Sequence, residues 1–331
     1  LGLRKVATWS NYKPGKPETI RVENLKAIRK YGLKVETGPR SINMIERGNT
    51  EYTAEGVAKS TEVLVETLGD DLAYLSLGNE PHGGMEEIRR NVAAYRAAYE
   101  AAKAKDPDVY VVATSVGPNP LNFEAGYHKY FDAYDFHTYE SYQGIHKIIQ
   151  RYRELAAKYD AVKPIYCTEM GLNSQGMTRR AVSIAMIKKF TSFFAGGGAH
   201  ASWFTIMYPD PQATMRGSSG EAHNMFDAVY REYNPKLDAL THYHYLNSLL
   251  DKKAVEKRAR EDGTQAYLFA NKDGQCLQVL WNDSSSPSVF VPLDGVAAVR
   301  IIRIDGSDVR MTPRDGGVTV GVTEEPLMLL Y

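Results

Sequence analysis

Two glutamates stand where an apolar run gives way to a rigid turn. In Leu72-Ala-Tyr-Leu-Ser-Leu-Gly-Asn-Glu-Pro81 the residues from Leu72 to Leu77 suit a strand buried on both faces. Gly78 lets the backbone turn and Pro81 fixes φ and ends pairing, which leaves Asn79 and Glu80 at the strand's carboxyl end. The stretch Pro164-Ile-Tyr-Cys-Thr-Glu-Met-Gly171 has the same form, with Thr168 and Glu169 at its end. Ligands of parallel α/β folds bind at that end of the strands. Two carboxyl groups facing each other across one bond are the minimum equipment for cleaving a glycosidic linkage. Glu36 and Glu140 also fall at strand ends, and ion pairing, for instance with Arg40, is the reading for them.

The elements around these residues alternate. Apolar runs near residues 3, 33, 72, 109, 133, 164 and 200 predict seven strands. Amphipathic helices are predicted between them: one with Ile20, Leu25 and Ile28 ending near Gly32, one over 54–68, and one carrying Ile88, Val92, Tyr95 and Tyr99. Others carry Ile145 to Tyr159 and Val182 to Phe194, the latter with Thr178 as N-cap, and a last helix spans about 237–250. Strand–helix alternation implies a parallel sheet with right-handed crossovers, and an α/β barrel of eight strands is the closed form. Seven strands would leave edges, so an eighth strand with its helix is expected before Leu1 or unrecognised near the start. Glu80 then ends strand four and Glu169 strand seven. From about residue 257 short strands are separated by Asp273-Gly274, Asp305-Gly306 and Asp315-Gly316-Gly317, which are hairpin signals. The expected domains are a catalytic barrel over 1–254 and a β-sandwich-like domain over 255–331.

The 331 residues include 40 Lys+Arg and 40 Asp+Glu, and a formal net charge of zero argues against a nucleic-acid partner. No apolar run approaches a membrane span. Cys167 and Cys276 fall in different predicted domains and read as free thiols. His242 and His244 lie two apart on a helix and do not share a face, so they are not a metal pair, and no Cys/His cluster has zinc spacing. Gly196-Gly-Gly198 follows a helix rather than a strand and is no phosphate loop. A phosphate-binding isomerase or aldolase would want a phosphate cradle and often a Schiff-base lysine at a strand end, and neither is found.

Gly78-Asn-Glu-Pro81 and Thr168-Glu169 resemble the acid/base and nucleophile motifs of clan A glycoside hydrolases. Strand order and the appended β domain are most similar to family 39, with the family of β-glucuronidases and heparanase as a relative. Met225-Phe-Asp227 and Asn234-Pro-Lys-Leu-Asp-Ala239 are similar to the last loop and helix of those enzymes. The resemblance implies that Glu80 is the general acid and then base, and that Glu169 is the nucleophile of a configuration-retaining double displacement. It also implies that Asn79 bonds the sugar 2-hydroxyl, that Tyr139 holds the nucleophile and that His137 lines the same wall.

Aromatic side chains suit the C–H faces of sugars. Trp203 is the first candidate platform, followed by Trp9, Tyr12, Tyr142 and Tyr208, while Arg40 would pair with Glu36 or meet an acidic sugar. The expectation is a monomeric retaining β-glycosidase without cofactor, acting on an oligo- or polysaccharide. Long loops after Trp9 and Met207 favour endo action. Polymer substrates and a start at Leu1 favour a secreted or periplasmic place. The rivals are an inactive carbohydrate-binding barrel, against which the retained Glu80 and Glu169 speak, and a transglycosylase using the same residues.

Overall fold

The apolar runs form strands where they were expected. The computed structural model describes residues 5–7, 10, 12–20, 22, 25, 27–208, 214–215, 218–229 and 232–331. Strands β1 (Lys5–Ala7), β2 (Lys34–Thr37), β3 (Leu72–Ser76) and β4 (Val111–Val112) lie in that order in one parallel sheet. A parallel bridge between Val112 and Ala133 leads on to β5 (Tyr134–Thr138). β5 neighbours β6 (Ile165–Met170), which neighbours β7 (His200–Trp203). Among the described residues these seven strands follow chain order. The pairing is that of two sheets joined by a bridge, and it does not by itself close a ring.

The chain divides into two units. One comprises Leu3–His137 and Gln150–Thr168, the other Thr138–Ile149 and Glu169–Tyr331, besides the first two residues. In the first unit Leu75, Leu77, Val111 and Val112 have no exposure, each burial contributing about 1.5–3 kcal/mol. Tyr74 on β3 meets Tyr166 on β6 edge to face, with ring centroids 5.8 Å apart. Side chains on a flat sheet stand parallel, and three strand spacings would hold these two about 14 Å apart. The sheet of this unit therefore curls, and Tyr74, Val112 and Ala133 form a buried cluster on its inner side.

Helix α1 (Ser41–Glu46) follows β2, α2 (Ala54–Leu68) precedes β3 and α3 (Met85–Lys105) follows it. Thr53 caps α2 by accepting from the Gly56 N–H at 3.1 Å, and Val57, Leu64, Val65 and Leu68 are its buried stripe. Helix α4 (Pro120–Glu124) is short, and α5 (Ile145–Lys158) leads to β6. Of the predicted helix before Gly32, Leu25 is helical and Ala27–Tyr31 form a 3-10 turn, with another 3-10 turn over Pro17–Thr19 ahead of it; residues 21, 23, 24 and 26 of that stretch lie outside the described residues. Helix α1 was not foreseen at all.

In the second unit α6 (Arg179–Ala195) is capped by Thr178, which accepts from the Ala181 N–H at 3.1 Å. A two-strand ribbon, β8 (Thr214–Met215) and β9 (Ser218–Ser219), leads into α7 (Gly220–His223), and α8 (Leu237–Leu249) is the last helix. Then come β10 (Lys253–Ala259), β11 (Gln265–Ala270), β12 (Cys276–Trp281), β13 (Ser288–Pro292), β14 (Val299–Ile302), β15 (Asp308–Met311), β16 (Gly317–Gly321) and β17 (Leu327–Leu330). Six of them form an antiparallel sheet in the order β10-β11-β12-β17-β14-β15, and β13 pairs with β16. Leu280, Val299 and Leu329 from the large sheet and Val289, Val291, Val318 and Val320 from the pair share one core, so the two pack as a small sandwich. Asp315 and Gly316 both have positive φ, and Arg314 and Gly317 exchange both backbone bonds around them, a tight hairpin turn. Cys167 and Cys276 form no disulfide. Among the described residues no helix is long and apolar enough to cross a membrane.

Candidate active site

In the first unit the turn after β3 is built around Glu80. Gly78 has φ +72, and a Cβ there would lie 1.9 Å from the Glu46 Oε1 atom, so only glycine fits. Glu80 itself has φ +50, a conformation that a non-glycine side chain adopts at a cost of about 1 kcal/mol. Its N–H donates to the Ser115 Oγ at 3.1 Å, just past β4. The preceding N–H, that of Asn79, donates to the Glu46 Oε2 at 2.9 Å.

The Glu80 side chain is 29% exposed, and its Oε1 lies 3.0 Å from the His137 Nδ1. His137 is on β5, and its Nε2 lies 3.2 Å from the Thr168 Oγ1. The Thr168 hydroxyl gives its one proton to the Asp135 Oδ2 at 2.6 Å, while the Thr168 N–H donates to Oδ1 at 2.8 Å. Toward His137 that hydroxyl therefore accepts, and Nε2 donates. One proton between Oε1 and Nδ1 completes the chain from Glu80 to the buried Asp135. Both ring nitrogens of His137 thus have protein partners.

Glu46 and its partners were not recognised from sequence. Its carboxylate is 6% exposed and accepts from Asn79, from the Tyr95 hydroxyl at 2.7 Å and from the Thr114 hydroxyl at 2.8 Å. Burial pushes its pKa up to about 7, against the pull of these donors. The same burial, with Glu46 next to it, holds the Tyr95 hydroxyl well above its usual range.

In the second unit Glu169 is the penultimate residue of β6 and accepts a short hydrogen bond from the Tyr139 hydroxyl. Tyr139 follows β5 directly. Its ring lies against the backbone of Gly171, where a Cβ would come within 2.7 Å of the Tyr139 Cε1. The rings of Phe204 and His223 approach it edge-on, each with its centroid 6.2 Å away. Beneath them the ammonium of Lys189, 1% exposed, donates to the Thr138 carbonyl at 3.1 Å and the Gly171 carbonyl at 2.6 Å. Those two carbonyls flank Tyr139 and Glu169 in the chain, so Lys189 ties their strand ends together. The spacing that marked α6 as amphipathic gave no sign that a lysine would point inward.

The remaining expected residues sort differently. Trp203 ends β7, is 9% exposed and packs on Phe190 at 5.8 Å. Arg40 is exposed at the start of α1, and its N–H donates to the Ser10 carbonyl at 2.9 Å. Glu36 is buried and accepts from the Tyr74 hydroxyl at 2.9 Å. Tyr12 packs on Tyr52 at 5.4 Å. Tyr142 gives its hydroxyl proton to Asp283 at 2.5 Å and meets Trp281 edge-on, so it braces the sandwich strands. Trp9 lies outside the described residues. In one unit Glu80 lies beside His137, and in the other Glu169 lies beside Tyr139.

No family model matches the chain, and no curated protein sequence does. Solved structures do match. A family 39 glycoside hydrolase from the gut symbiont Bacteroides cellulosilyticus WH2 is similar over 99% of this chain and 75% of that one, with a TM-score of 0.80 at 14% identity. A glucosidase from Croceicoccus marinus is similar over 96% and 83%, with a TM-score of 0.65 at 12% identity. An endo-β1,6-glucanase is similar over 99% and 83%, with a TM-score of 0.62 at 14% identity. At these identities what is shared is the fold, and it is a fold of glycoside hydrolases, family 39 among them.

Proposed function

We propose that this protein is a retaining β-glycosidase that needs no cofactor and acts on an oligo- or polysaccharide. One observation carries the reading: the two strand-end carboxyl groups have opposite kinds of partner. Glu80 shares a proton with an imidazole whose other nitrogen is anchored through Thr168 to Asp135, whereas Glu169 accepts from a phenol. That is the division between a proton donor and a nucleophile.

In this reading the seven strands and one more close into a barrel, with the sandwich strands as a domain from about residue 255. A retaining double displacement needs its two carboxyl groups about 5–5.5 Å apart. Glu80 gives its proton to the leaving oxygen while the Glu169 carboxylate attacks the anomeric carbon and the glycosidic bond breaks. Water then attacks the glycosyl-enzyme, Glu80 takes its proton, and Glu169 is released. Asn79 holds the sugar 2-hydroxyl, Tyr139 keeps the Glu169 oxygen in line, and Trp203 and Arg40 are the further substrate contacts. The fold shared with an endo-acting glucanase agrees with attack inside a chain.

Glu169→Gln tests the assignment. It should lower hydrolysis by roughly three orders of magnitude or more, while oligosaccharide binding measured by calorimetry persists. Turnover unchanged by the substitution would refute the nucleophile.

A further inference from the structure

We infer that Glu46 is a positioning residue for the proton donor: it clamps the backbone of Gly78 and Asn79 and so holds Glu80 in its left-handed conformation against His137. The inference rests on the reading of Glu80 as acid/base. Glu46 lies on a six-residue helix, and neither α1 nor the core needs a carboxylate there. An apolar side chain would be buried at less cost. Its three donors are neutral groups from three separate segments: the Asn79 N–H after β3, the Tyr95 hydroxyl on α3 and the Thr114 hydroxyl after β4. Tyr95 and Thr114 both bond Oε1, which leaves Oε2 for Asn79. The carboxylate is thereby fixed from behind, and its free edge is aimed at the turn.

The turn is shaped to receive it. The position a Gly78 Cβ would take is 1.9 Å from Oε1 and 2.7 Å from Oε2, so the carboxylate rests directly on the peptide. The next N–H, that of Glu80, is held by Ser115, a neighbour of Thr114. Two successive backbone donors are therefore fixed by groups that the β4 end organises. A residue at φ +50 stays there only where its surroundings overdetermine it. Without Glu46 the Asn79 side of the turn relaxes, and the Glu80 carboxyl group drifts from Nδ1.

The consequence is selective. Protonation matters for a poor leaving group such as phenol and little for a good one such as 2,4-dinitrophenol, because the latter departs as a stable anion. The test measures kcat/KM on paired phenyl and 2,4-dinitrophenyl β-glycosides of glucose, xylose and galactose. Glu46→Leu should lose about 100-fold on the phenyl member and less than about threefold on the dinitrophenyl member, within the range that acid catalysis supplies. Glu46→Asp, which keeps the buried charge but withdraws it from Asn79, should lose about tenfold on the phenyl member alone; it carries the test if the leucine variant does not fold. Glu46→Gln should stay within about fivefold on both, because its amide oxygen can accept from Asn79 while its NH2 faces two hydroxyls. Equal losses on both members of a pair, or none, would overturn the role of Glu46. Glu80→Ala serves as the control and should show the same selectivity more strongly. If Glu80→Ala strikes both members equally, or the wild type turns over none of the pairs, it is the reading of Glu80 that fails.

Discussion

At the scale of single residues, the Tyr139 hydroxyl is the group on which the charge of Glu169 leans. A hydrogen bond to a charged group contributes about 1.5–3 kcal/mol. Tyr139→Phe should therefore lower kcat about 10- to 100-fold, with little change in melting temperature, since the ring and its packing on Gly171 remain. Unchanged kcat would detach Tyr139 from the chemistry. Glu80 and Glu169 stand out as candidates in the sequence because each closes an apolar run inside a short, rigid motif. Glu46 and Lys189 do not, because their roles depend on segments far away in the chain. The carboxylate of Glu46 meets a turn that follows another helix and a strand, and Lys189 meets two strand ends across a helix. Local spacing carries no trace of either. Tyr142 misled for the same reason: a tyrosine near a strand end suggests a sugar platform, but its partners Asp283 and Trp281 lie far along the chain.

At the scale of elements, α8 packs on α6 through His242, whose ring lies 5.8 Å from that of Phe190. Burial holds its pKa down to about 4, from an ordinary 6.5. Protons thus bind the unfolded chain before the folded one, and stability present above about pH 6.5 is lost as pH falls towards 4, by about 3 kcal/mol at the end of that window. His242→Phe removes this term. Its melting temperature relative to wild type should rise between pH 7.5 and pH 4.5; an equal difference at both would contradict a buried neutral histidine. Helices α2 and α3 each bury a stripe to their neighbours that spacing can show, whereas α6 is buried almost all round and α8 buries Asp238, Thr241, His242 and Ser248 beside its apolar residues. Periodicity passed over α1, whose six residues are too few to show a period.

At the scale of the whole molecule, the fold is that of glycoside hydrolase structures sharing only 12–14% of their residues with it, which sequence identity alone would not reveal. Strand alternation, the Asp-Gly turns and two motif-bearing strand ends made the architecture readable, since these follow from backbone chemistry rather than from conserved surface. Closure of the strands into a ring was not readable, because it depends on non-local pairing. The central claim, two glutamates performing a double displacement, has a stereochemical consequence. Proton NMR of the first product released from a β-linked oligosaccharide, recorded before mutarotation, reads it directly. The account predicts that the new reducing end appears as the β anomer and only later equilibrates, whereas initial appearance of the α anomer would mean a single displacement by water and would contradict Glu169 as nucleophile.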